Sequence, residues 1–232
     1  MLGVKFDELH CLDDLGMVLQ TVSMPMPEPK VASVEIPGAD GVLDLTSYFG
    51  DTRYNNRTIT MVFTDMAPYK QRYPNQTVTA NALHGKSMKI CFDEDPLYYY
   101  QGRLSVQEFA PQGGTRTITI VADCEPYKYL VDEGAEPWKW DPFSFIDGII
   151  RYYGEITVSG LTPVQIIGGY KAVHPIITAD SAMTVRLDDG PTVNLKAGVQ
   201  KVYNITVTRG EHYLYFNGNG KASLRMQIGT FR

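Results

Sequence analysis

"RTITMVF", Arg57 to Phe63, sets the reading of this chain. Ile59, Met61 and Phe63 point one way, and Thr58, Thr60 and Val62 point the other. Alternation with a period of two is the mark of a half-buried strand. The same pattern returns on both sides. In "MKICF" (88–92), Met88, Ile90 and Phe92 alternate with Lys89 and Cys91, and in "TRTITIVA" (115–122) Ile118 and Ile120 alternate with threonines. Threonine is β-branched and suits the solvated face of a sheet.

Further along, Ile156/Val158, Val164/Ile166, Met183/Val185/Leu187, Tyr203/Ile205/Val207, Leu214/Phe216 and Leu224/Met226/Ile228 repeat the alternation. The stretches "SGLTP" (159–163), "DDGP" (188–191), "RGEH" (209–212) and "NGNGK" (217–221) read as the turns between them. Strands about ten residues apart predict an all-β sandwich. One helix interrupts the strands, in "NQTVTANALHGK" (75–86). A Thr or Asn near its start can cap it and Gly85 can stop it, with Val78, Ala82 and Leu83 as its apolar face. The composition breaks at "DEGAEPWKWDP" (132–142), which reads as a linker that packs down and carries both tryptophans, Trp138 and Trp140. The expected division is therefore 1–131 and 132–232, a mainly β chain in two domains.

The chain has 232 residues, 44% apolar and 20% charged, with a formal net charge of −5. That is a globular composition. Its apolar runs stop at four or five residues, well short of a membrane span, so no membrane insertion is expected. The charge is uneven: residues 1–130 carry net −5 and the remainder is neutral. Neither part offers the basic surface that specific nucleic-acid binding requires. The first residues, "MLGVKFDELH", lack an apolar stretch behind a basic start, and no secretory signal is expected. Cys11, Cys91 and Cys124 are far apart and odd in number, and read as buried thiols rather than a disulfide or zinc framework.

Catalytic constellations do not emerge. The acid pairs Asp13-Asp14, Asp93-Glu94-Asp95, Asp132-Glu133 and Asp188-Asp189 are sequence neighbours, which suits turns better than two carboxylates facing each other across a cleft. His10, His84, His174 and His212 lack metal-ligand spacing, with His84 placed to complement a helix dipole. Phosphate-binding and nucleophile-elbow patterns are missing. The reading is of a non-enzyme with no metal and no cofactor. The aromatics stand out instead. Tyr98 and Tyr100 share a face, and Tyr213 and Tyr215 lie opposite Leu214 and Phe216. Such side chains, with Trp138 and Trp140, can stack on a sugar or pack against a protein.

Six stretches carry a family resemblance in chain order. They are "GVKFDELHCLDDLGMVL", "IPGADGVLDLT", "YNNRTITMVF", "ALHGK", "KICFDEDPLYYYQGRL" and "TRTITIVADCEPYKY". Together they resemble the distal tail protein (Dit) of long-tailed, siphovirus-like bacteriophages and prophages. The resemblance implies a barrel-like or sandwich tail-tube-related domain over 1–131, followed by a galectin-like or carbohydrate-module-like β-sandwich over 132–232. It implies a homo-hexameric ring at the distal end of the tail, within the virion, made in the bacterial cytoplasm. That ring is a baseplate hub for host attachment. It joins the tail tube protein and tape-measure protein to tail-associated and receptor-binding proteins, and DNA passes through its channel. An acidic lumen would let DNA slide without sticking.

Within "IPGADGVLDLT", Pro37 fixes one φ while Gly38 and Gly41 allow φ values that other residues avoid. The segment reads as a shaped corner and a departing arm. Ile36, Pro37, Gly38, Asp40, Gly41, Leu43 and Asp44 are the expected subunit-interface residues. The alternative is a carbohydrate-binding module for cell-wall glycans, using Trp138, Trp140, Tyr213 or Tyr215 as its platform.

Overall fold

The structure, a computed structural model, describes residues 3–48, 50–112, 114–131 and 153–231. The proposed linker, Trp138 and Trp140 lie outside the described residues. The chain divides into two compact units. The first comprises Met1–Asp95 and Tyr99–Pro126, the second Pro96–Tyr98 and Tyr127–Arg232.

The first unit contains β1 (Val4–Phe6), β2 (Leu9–His10), β3 (Met17–Ser23), β4 (Ser33–Glu35), β5 (Val42–Asp44) and β6 (Arg57–Asp65). A 3-10 turn (Tyr69–Gln71) and α1 (Arg72–Leu83) follow, then β7 (Ser87–Phe92), β8 (Tyr98–Gln112) and β9 (Thr115–Leu130), the first residue of β8 and the last four of β9 belonging to the second unit. The main sheet runs β2-β1-β7-β8-β9-β6-β3. The expected alternation holds: Ile59, Met61, Phe63, Ile90, Ile118 and Ile120 are fully buried and the threonines between them are not. The sheet also curls. β1 and β6 are four places apart in the strand order, roughly 19 Å in a flat sheet at about 4.8 Å per strand. Yet the rings of Phe6 and Phe63 lie 6.3 Å apart. The two ends close on one core, which also holds Val4, Met17, Leu104 and Ala122. A bulge in β3, between Leu19 and Thr21, adds to the bending.

The helix starts earlier than its sequence suggests, and no side chain caps its first turn. Pro74 sits inside that turn, where an N–H would have no intrahelical partner. Gly85, at φ +78°, follows the last turn as expected. Leu83 and Thr79 are the buried positions, with Ala82 packed against the core. Val78 is exposed, which corrects the predicted apolar face. His84, just past the helix end, takes the Val106 N–H on its Nδ1 at 3.1 Å.

The second unit contains β10 (Ile156–Gly168), β11 (Ile176–Ala179), β12 (Met183–Leu187), β13 (Val193–Leu195), β14 (Gly198–Lys201), β15 (Gly210–Arg225) and β16 (Gly229–Thr230). β16 pairs with the end of β9, Gly229 opposite Tyr129. β15 is the spine. It pairs with β10 along one edge and with β12 and β11 along the other. Leu214, Phe216, Leu224, Ile166 and Ile177 form its core.

Two predicted turns prove to be strand interior. "SGLTP" and "NGNGK" face each other in the β10–β15 ladder, with Gly160 opposite Gly218. The glycines of β15 serve a close approach. A Cβ on Gly220 would run into the side chains of Asp180 and Ser181, and Ser181 Oγ donates to the Asn219 carbonyl at 2.6 Å. Pro163 is tolerated because β10 lies at the sheet edge. Conversely, Tyr203–Val207 is not a strand. It is a turn closed by the Ile205 N–H on the Val202 carbonyl, which buries Ile205 and Val207 and leaves Tyr203 outside. The overall result is the expected mainly β fold with one α-helix among the described residues.

Candidate functional site

The seven residues singled out between Ile36 and Asp44 fall on one hairpin. Among the described residues β4 and β5 pair only with each other, Ser33 opposite Asp44, Val34 opposite Leu43 and Glu35 opposite Val42. The Ala39 N–H donates to the Ile36 carbonyl inside the connecting turn. Gly38 and Gly41 take φ of +85° and +78° there, conformations costly for any other residue. The stem is anchored to the segment before β6. The Lys30 N–H donates to the Arg53 carbonyl at 2.7 Å and the Asn55 N–H to the Glu28 carbonyl at 2.8 Å. Asp44 accepts the Thr46 N–H at 2.8 Å. Bonds from the Thr46 side chain and backbone hold its carboxyl below the usual carboxylate range. The dominant property is exposure. Val31, Val34, Ile36, Val42 and Leu43 are each 48% exposed or more. A two-stranded hairpin is marginal in water by itself, and clustered exposed apolar side chains mark a contact surface.

A second surface was missed by sequence reasoning. Around the start of α1, Tyr69 is 81% exposed and Tyr73 72%, with Met66 and Val78 also open. Arginines lie over the two rings: Arg72 is 5.5 Å from the centroid of Tyr69 and Arg116 is 4.5 Å from that of Tyr73. Arg116 also reaches Gln76 Oε1 at 3.3 Å. The available signal was charge: residues 66–92 contain Lys70, Arg72, Lys86 and Lys89 and no aspartate or glutamate.

Tyr213 and Tyr215 project from the outer face of β15, with ring centroids 6.3 Å apart. Arg186 lies 4.8 Å over the Tyr215 ring. The Asp188 turn borders them. Its carboxylate accepts the Tyr213 N–H at 2.8 Å and faces His212 Nδ1 at 2.8 Å, which lowers its pKa, the backbone bond contributing most. This confirms the turn role for Asp188. Asp93 and Asp95 also sit in a turn, the Asp95 N–H donating to the Phe92 carbonyl.

Burial pushes the Cys124 thiol up to about 12 and raises that of Cys11, so neither is a ready nucleophile. His10 lies between Asp13 and Asp93, at 3.1 and 3.2 Å, on opposite ring nitrogens. No three His, Cys, Asp or Glu side chains among the described residues converge on a metal position. A recess of about 370 Å³ in the second unit is lined by Thr178, Asp180, Lys221 and Ser223, and its lysine is engaged by Glu155 at 2.6 Å.

Comparison with solved structures bears on this geometry. The Dit (gp 19.1) protein of SPP1 aligns over 98% of this chain and 99% of its own, with a TM-score of 0.65. The chain folds like Dit. Sequence identity is 16%, so the likeness is one of fold. That crystal structure is described as a paradigm of the hub adsorption apparatus in phages infecting Gram-positive bacteria. No protein-family model and no curated protein sequence matches the chain. The fold agrees with the resemblance carried by the six stretches of sequence.

Proposed function

We propose that this chain is a structural hub protein of a phage tail. It assembles with copies of itself into a ring, hexameric in the simplest case, at the distal end of the tail. In this reading residues 1–131 build the ring and 132–232 form the peripheral domain. The ring connects the tail tube and tape-measure proteins to tail-associated and receptor-binding proteins, and DNA leaves through its acidic channel. The role is architectural and needs no cofactor.

The observation that carries the reading is the hairpin Ser33–Asp44, on a fold shared with a hub protein. Its apolar side chains stay open to water on a chain with a well-formed core elsewhere. Val34, Ile36, Val42 and Leu43 keep 48–59% of their surface open, so burying the remainder against a neighbour would contribute roughly 1 kcal/mol each. A heterologous contact of this kind closes into a ring when its rotation is fixed, and the two-glycine corner sets that angle. Light scattering after size exclusion, over a range of concentrations, tests the reading. It expects a discrete species of about six copies. A single-copy mass at every concentration would count against it.

One observation favours a second reading, a glycan-binding role for the peripheral domain. Tyr213 and Tyr215 stand side by side on an outer sheet face next to Arg186, as a stacking platform would require. Titration with host wall polysaccharide, followed by tyrosine and tryptophan fluorescence, tests it. A saturable change abolished by Tyr213→Ala supports it, and an unchanged titration removes it.

A further inference from the structure

The ring reading leaves open which surface receives the hairpin, and the charge distribution of this chain points to one. The inference rests on that reading. We propose that the hairpin of one copy docks on the cationic, aromatic face at the start of α1 of the next copy.

The two surfaces are opposite in charge and alike in apolar character. Residues 28–51 carry Glu28, Glu35, Asp40, Asp44 and Asp51 against a single base, Lys30. The receiving face has Lys70 and Arg72, before and at the start of the helix within a stretch free of acids from 66 to 92, and Arg116 beside it from β9. Juxtaposed single-sign patches of this kind steer association and fix register. The apolar parts match as well. The hairpin offers aliphatic side chains, Val34, Ile36, Val42 and Leu43, and the α1 face offers Met66, Tyr69 and Tyr73, all exposed. Tyrosine and arginine are, with tryptophan, the residues enriched among interface hot spots.

Donor and acceptor surfaces on the same chain make a head-to-tail contact, which is the arrangement a ring requires. The hairpin's stem is tied by backbone bonds to residues 53–55 of its own copy. Its tip is therefore presented outward and not free to roam.

The test uses the full chain with the photo-cross-linker p-benzoyl-phenylalanine in place of Leu43, as an equal mixture of isotopically light and heavy protein. Cross-linked peptides are mapped by mass spectrometry, and the mass of the same samples is read by light scattering. Light-to-heavy cross-links into 66–78, in samples that form oligomers, are expected. Oligomers whose cross-links fall elsewhere would overturn this docking and leave the ring reading standing. Single-copy mass with no light-to-heavy product would overturn both.

Charge exchange provides the second arm. Glu35→Lys with Asp40→Lys, and separately Lys70→Glu with Arg116→Glu, should each weaken self-association about tenfold or more. All four together should bring it back to within about threefold of the original. If the combined variant is folded and no tighter than either parent, the docking is wrong. The association should also weaken steeply as salt rises past about 0.15 M, where screening shortens to about 8 Å.

Discussion

Replacing Gly38 and Gly41 with alanine separates assembly from folding. Both glycines sit at positive φ, +85° and +78°, and a Cβ added at either meets no atom within 4 Å. The penalty is therefore conformational and not steric. An L-residue in this region pays about 1–2 kcal/mol per position. If the two add, the turn loses about 2–4 kcal/mol. The hairpin has little to set against that, because it holds three residue pairs and contributes no member to either buried core. The strain should thus open the hairpin and leave the rest intact. Hydrogen exchange should speed up across 33–44, while the melting temperature changes by no more than about 1 °C, since 1 kcal/mol of global stability is worth about 2–4 °C at this size. A contact that needs the formed hairpin should weaken by about 30- to 900-fold. Light scattering reads that loss directly. Self-association undiminished in the double variant would refute the reasoning, as would a melting temperature that falls by many degrees.

Other perturbations test the fold and its electrostatics. Phe63→Ala removes a fully buried ring that packs 6.3 Å from Phe6, and should cost about 3–5 kcal/mol in urea unfolding of the first unit. Gly168→Ala puts a Cβ into the Thr208 carbonyl, and should destabilise the second unit by about 1–3 kcal/mol, seen as faster exchange in β10 and β15. Asp188→Asn keeps a side chain that tolerates φ +45° but removes the charge that faces His212. Its cost should be about 1 kcal/mol or less at neutral pH, since the carboxylate is partly exposed. The folded-state pKa of Asp188 is lowered, so the charge stabilises the fold fully above the ordinary value of 3.8 and less as pH falls below it. Denaturation curves of the two proteins should therefore converge in acid.

Much of the β framework was legible because its strands are half-buried. Period two shows clearly in β6, β7 and β9, where threonine and lysine mark the solvated face. The hairpin turn was legible for a related reason, as proline and two glycines demand an unusual backbone. Glycine misled where its purpose was room. "NGNGK" reads as a turn, but its glycines let the β11–β12 connection lie against β15, a long-range contact invisible in local sequence. Tyr203–Val207 misled in the other direction, because a turn can bury alternate residues as a strand does. Val78 looked like core because a short helix has few positions to choose from, but Thr79 is buried in its place beside the expected Leu83. The α1 face escaped notice because its aromatics lack any strand-like pattern, while its charge is visible only as a stretch without acids.

A cryo-electron microscopy reconstruction of the assembled protein, traced through Ser33 to Asp44, tests the central claim most directly. The account predicts a closed ring in which this segment lies on the neighbouring copy, with Val34 and Leu43 buried there. A ring in which the segment touches only its own copy, or stays in solvent, would contradict it.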